Sequence, residues 1–274
     1  MKKITIFLIL LLSVLYFRTF TWLVNVWLTD SYYSHGFLIP IISIFIAWKN
    51  IHRLEPESVP FKNGLIIFIP GLILYTIGFI KLFPFLLALS FLFITSGLIL
   101  YFYGKNMMRC FLFPVSFLIF AIPLPVLLLK KVAYTLQHIS ACCSTLLIEM
   151  LGVPVTRIGS EIHLQNASFT IGLACSGMNS LISLLALSVI FIYLLKCQPY
   201  KKIALLCVTA PIAIIANILR ITLLLLLANH YGAEVAMRFF HDFSSLFLFT
   251  IAFIFLIVIS TIIGCKVRTI KDRG

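Results

Sequence analysis

Charge is scarce in this sequence. Asp, Glu, Lys and Arg make up 11% of its 274 residues, against about 25% in ordinary globular domains. Only 8 residues are acidic, and none falls within a long apolar run. That absence argues against a transporter, because proton or sodium coupling uses acidic side chains inside the membrane; no inverted repeat is visible either. There is no C-x-x-C and no Cys/His spacing suited to zinc, so neither a metal nor another cofactor is expected. The seven cysteines are an odd number and cannot all pair internally; most are expected to be small apolar fillers in helices.

What is present is hydrocarbon. The sequence is 62% hydrophobic, with mean hydropathy +1.15, more than a soluble core of this size can hide. Apolar runs of about 20 residues, the length that crosses roughly 30 Å of bilayer, recur along the chain. The expectation is an all-α polytopic membrane protein with about eight transmembrane helices, forming a single integral membrane domain over residues 1–274. The spans read as Ile4–Leu28, Gly36–Trp48, Gly64–Ile80, Pro84–Tyr103, Cys110–Leu129, Met178–Leu195, Lys202–Ala228 and Ser244–Gly264, the first taken as uncleaved. Lys130–Leu151 is amphipathic and reads as a helix lying in the interface. Val155–Leu173 alternates with period two and reads as a short extracytoplasmic β-hairpin before the sixth span.

The net charge of +13 comes from short basic loops rather than an aromatic-rich basic patch, so no nucleic-acid partner is expected. With the N-terminus inside, fourteen Lys and Arg fall on the inner side and five on the outer, leaving Arg18 and Arg220 within spans. The positive-inside rule therefore predicts cytoplasmic N- and C-termini in a cytoplasmic (inner) membrane.

That threading collects three polar points on the extracytoplasmic side. Cys175 precedes the sixth span, where helix-terminal amides and the dipole favour a thiolate. Ser176 and Gly177 follow it, and Asn179, Ser180 and Ser183 continue a polar stripe. The alternative is a cysteine buried in a helix cap. Arg220, inside the seventh span, costs at least ~2.5 kcal/mol in hydrocarbon and is a functional candidate on that ground. Asn217 lies one turn earlier on the same face. Snorkelling to headgroups, or a helix–helix hydrogen bond, is the competing explanation for Arg220. His241 stands before the last span and suits proton exchange near neutral pH, although a loop histidine is often without function. Together these residues suit acyl transfer through a thioester.

Ala174-Cys175-Ser176-Gly177, Asn217-Ile218-Leu219-Arg220, His241 and the early Tyr33-Ser34-His35-Gly36-Phe37-Leu38-Ile39-Pro40 resemble, in order, the motifs of the exosortase/archaeosortase family of membrane cysteine transpeptidases. The resemblance extends over nearly the whole chain, and a histidine at position 241 points to the bacterial branch. It implies Cys175 as nucleophile, Arg220 as charge stabiliser and His241 as acid/base, with His35 in support. It also implies partners: exported proteins carrying a C-terminal motif such as Pro-Glu-Pro, a transmembrane helix and a basic tail, met in membrane lipid. Two other functions remain open on the residues alone. One is a non-enzymatic component of exopolysaccharide export or a lipid-carrier binder, with Arg220 holding a phosphate. The other is a membrane acyltransferase using the same thiol.

Overall fold

The computed structural model describes residues 2–54, 59–164, 168–170, 172, 176–239 and 245–267. Helices dominate, and the chain divides into two compact units, residues 1–125 and 126–274.

The first unit holds α1 (Lys2–Leu15), α2 (Phe17–Thr29), α3 (Leu38–Leu54), α4 (Leu65–Ile80) and α5 (Pro84–Phe117). The expected first span is broken. Tyr16 leaves helical geometry with ψ 7°, and α1 and α2 bend by 63° there. Its side chain is fully buried, with the hydroxyl 2.7 Å from Ser90 Oγ. A buried phenol needs such a partner, and the break delivers it. Along α4, glycines at 64, 71 and 78 fall seven apart and face α5 closely. A Cβ on Gly64 would lie 2.5 Å from the Tyr101 nitrogen, and one on Gly71 would lie 2.8 Å from Ile94. Small residues at that spacing let two helix backbones approach without any aqueous driving force. Helix α5 merges two arms across Gly104, where φ is +79° and a Cβ would meet the Val59 carbonyl oxygen at 1.8 Å. The expected fourth span ends beside that kink. The fifth begins earlier than expected and closes in a 3-10 turn over Leu118–Ala121, rather than continuing to Leu129.

The second unit holds α6 (Val126–Met150), β1 (Val155–Ile158), β2 (Glu161–Leu164), β3 (Ser168–Thr170), α7 (Met178–Leu194), α8 (Pro199–Tyr231), α9 (Ala233–Phe239) and α10 (Ser245–Ile262). Helix α8 packs against α6, α7 and α10. β1 and β2 form the expected hairpin, turning at Gly159, and β3 adds a third antiparallel strand with Ile162 opposite Phe169. Inward-facing Val155, Ile162, Leu164 and Phe169 share a core with Ile148 of α6 and with Ile221, Leu225 and Ala228 of α8. The alternation read from sequence is thus the buried face of a small sheet seated on the C-terminal ends of α6 and α8.

The opposite end of this unit is clasped. Two-residue strands β4 (Leu195–Lys196) and β5 (Lys266–Val267) pair antiparallel. Beside them Cys197 and Cys265 face each other within disulfide reach, with Cα atoms 5.0 Å apart, and Lys201 Nζ donates to the Ile263 carbonyl at 2.7 Å. Cys197 and Cys265 are therefore neighbours in space rather than separate apolar fillers.

Among the described residues, four helical stretches are long and apolar enough to cross a membrane: residues 31–52, 62–80, 84–121 and 199–231. The bent α1–α2 pair makes a fifth, and α7 and Phe249–Ile262 are shorter apolar helices. By length and composition alone, four to five of the described helices or bent pairs qualify as spans, against the eight expected. Apolar side chains cover the outside. Ile66, Ile69, Ile73 and Ile80 of α4 are each more than half exposed, a stripe that only lipid can solvate.

Candidate active site

Helix α7 starts at a backbone turn that only glycine takes without strain. Gly177 has φ +80°, and its carbonyl accepts the Leu181 amide at 2.9 Å. Ser176, 1% exposed, turns its hydroxyl back to accept from the Met178 amide at 3.3 Å. The Gly177 α-carbon presses on Asn217: a Cβ there would come 2.6 Å from Asn217 Cγ. The turn before α7 and the Asn217 face of α8 are therefore in contact. Gly177, which follows Cys175 in the sequence, and Asn217, one turn before Arg220, meet here.

Asn217 is buried at 3% exposure, and its Nδ2 donates to Ser140 Oγ on α6 at 2.9 Å. Ser140 is also buried, and its carbonyl receives the Ser144 hydroxyl. One amide side chain thus links α6 to α8 directly beneath the start of α7. Ser140 does not stand out in the sequence as a site residue. Its signal is helical spacing: Gln137, Ser140 and Ser144 recur on one face of α6, and all three are buried.

Arg220 lies one turn along α8 from Asn217, half-buried. With Asn217, Ser180 of α7, and Phe249 and Ala252 of α10, it lines a small cavity of about 10 Å³, on the scale of a single water. Ser180, from the polar stripe of α7, faces the same space. Phe249 stands one turn into α10, so the helix that follows the third polar point also borders Arg220. Cys175 and His241, the predicted nucleophile and acid/base, lie outside the described residues. His35, the supporting candidate, belongs to the first unit. There it follows a 3-10 turn over Ser31–Tyr33, and its carbonyl accepts the Leu38 amide at 3.1 Å as α3 begins. That turn is pinned by Tyr33, whose hydroxyl accepts from the Leu124 amide at 2.9 Å. Gly36 is pressed against Trp27 so closely that a Cβ would fall 2.3 Å from its ring.

These features define a multi-pass helical membrane protein with a buried Asn217 and a half-buried Arg220 on one helix face, Asn217 set against a glycine turn at the start of another helix. A profile of the transmembrane exosortase family matches residues 27–258, most of the chain, and the protein belongs to that family. The family is known for cysteine transpeptidases and is linked to the processing of sorting signals. No curated protein and no solved structure matches the chain.

Proposed function

We propose that the protein is a membrane-embedded cysteine protease/transpeptidase that cleaves C-terminal sorting signals of exported proteins. The contact of Gly177 with Asn217, one turn from Arg220, is the observation that carries this reading. It brings the sequence neighbours of Cys175 to the helix face that bears the half-buried Arg220.

In this mechanism His241 takes the proton of the Cys175 thiol, and the Cys175 sulfur attacks the scissile carbonyl carbon. Negative charge collects on the carbonyl oxygen of the tetrahedral intermediate, and Arg220 stabilises it. The C–N bond then breaks, the leaving nitrogen receives the proton from His241, and the transmembrane tail departs. The substrate remains as a thioester on Cys175. Water or an acceptor amine attacks that thioester, the C–S bond breaks, and the thiol is restored. Asn217 and Ser140 hold the turn and the Arg220 face in register.

The accompanying topology is the eight-crossing threading with cytoplasmic termini in the inner membrane and an extracytoplasmic site. Its support is the distribution of basic residues between loops, and the seating of the β1–β3 sheet on the α8 end that follows Arg220. The test is processing of a reporter with a C-terminal motif, a transmembrane helix and a basic tail. Cys175→Ala and Cys175→Ser are expected to insert normally and leave the reporter uncut. Full processing by Cys175→Ala defeats the proposal.

A further inference from the structure

The first unit contains a cavity of about 550 Å³ that the proposed chemistry does not use. This is within the roughly 300–1,000 Å³ of small-molecule sites. Its walls come from α2, α3, α5 and the 3-10 turn that follows α5, and are almost wholly hydrocarbon. Helices α2 and α3 make little contact with each other, while α3 packs along α5. The rim between α2 and α3 includes Val24, 48% exposed, and Ile44, 70% exposed. The cavity therefore opens sideways, between exposed apolar side chains of α2 and α3 of the kind lipid solvates.

One polar atom is out of place in it. Ser43 lines the cavity at 4% exposure, and its hydroxyl has no hydrogen-bond partner among the described residues. Helical serines commonly bond back to a preceding carbonyl, as Ser13, Ser188 and Ser260 do here. A buried hydroxyl left unpaired is unfavourable, so the natural complement is an acceptor oxygen brought in by a guest. Size narrows the guest further. A peptide helix is about 10–12 Å across with its side chains, too thick for 550 Å³ to enclose more than a turn or so. A single hydrocarbon chain fits.

We propose that this cavity is a binding site for one acyl chain of a membrane lipid, entering between α2 and α3. The ester carbonyl at the head of the chain accepts a hydrogen bond from Ser43. The chain then runs from Ser43 past Ala47 towards Ile99 and Phe111. This site does not depend on the proposed peptidase activity and is tested separately from it.

The full-length protein is reconstituted in phospholipid vesicles containing increasing fractions of an ester-linked phosphatidylethanolamine with a diazirine midway along one acyl chain. After photolysis, adducts are mapped by peptide mass spectrometry. Adducts on Thr19–Val24 and Ser43–Ala47 are expected to saturate as the labelled fraction rises, whereas adducts on the exposed Ile66–Ile73 face of α4 rise in proportion. Ser43→Ala is expected to raise the half-saturating fraction roughly fivefold, the loss of one hydrogen bond. Ala47→Trp, which fills the cavity, should abolish the saturable component and leave the α4 adducts intact. Proportional labelling of α2 and α3, as on α4, overturns the proposal. So does preferential labelling of these segments by an apolar helical peptide carrying the same diazirine. Should Ala47→Trp fail to insert, saturation in the unmodified chain decides the matter.

Discussion

At Gly177 two constraints coincide: a backbone φ of +80° and a side-chain amide 2.6 Å from where a Cβ would lie. Gly177→Ala therefore meets conformational strain of about 1–2 kcal/mol and must also displace Asn217. The expected outcome is a chain that still inserts but processes the sorting-signal reporter far more slowly, read as a fall in turnover at constant protein level. Undiminished turnover would detach this turn from the chemistry. The residue types of the site are legible in the sequence. A glycine after a cysteine, and an arginine with an asparagine one turn earlier, stand out in a chain with so few polar groups. Their contact is not legible there, because it depends on how α7 and α8 cross. The roles of Cys175 and His241 rest on the sequence motifs and on the chemistry proposed from them.

Among the elements, α6 shows most clearly how an amphipathic pattern can be read two ways. Lys130, Lys131 and Glu149 at its ends suggest a helix lying on the membrane surface. Its middle instead presents buried Gln137, Ser140 and Ser144, with Ser140 bonded to Asn217. Periodicity reports that two faces differ, but not which solvent or helix each one meets. Ser140→Ala removes the bond to Asn217, at a cost of about 1 kcal/mol. If Ser140 positions the site, turnover falls while the reporter's KM stays near its original value, and Ser140→Thr, which keeps the hydroxyl, recovers much of the rate. A loss of folded protein with unchanged turnover per folded molecule would make Ser140 merely structural. Other departures have equally local causes. The break at Tyr16 follows from a buried phenol reaching Ser90, a partner 74 residues away that no window of sequence contains. The third strand is only three residues long and α9 only seven, too short for a periodic signal.

For the whole molecule, membrane residence is plain from composition, since no soluble fold can bury so much hydrocarbon. The number of crossings is not. Runs of apolar residues look alike whether they form one straight span, a bent pair such as α1–α2, or two arms joined at Gly104. Orientation meets a sharp test at the clasped end of the second unit. The basic-residue count places Cys197 and Cys265 in the cytoplasm, where thiols are kept reduced. The fold sets them within disulfide reach, at 5.0 Å between Cα atoms. With cytoplasmic placement, both should alkylate as free thiols once cells are permeabilised and denatured, without a reductant, as followed by peptide mass spectrometry. Labelling only after reduction would mean that the bond forms in the living cell and that the proposed orientation is reversed.

The central claim is that this exosortase-family protein works through a thioester on Cys175. It is tested most directly by trapping that intermediate. The full-length protein is incubated with the tail-bearing reporter, quenched in acid and examined by intact-mass and peptide mass spectrometry. The account predicts an adduct with the mass of the reporter lacking its tail, located on Cys175, released by hydroxylamine and absent from Cys175→Ser. Reporter cleavage with no adduct on Cys175, or an adduct on another residue, would contradict it.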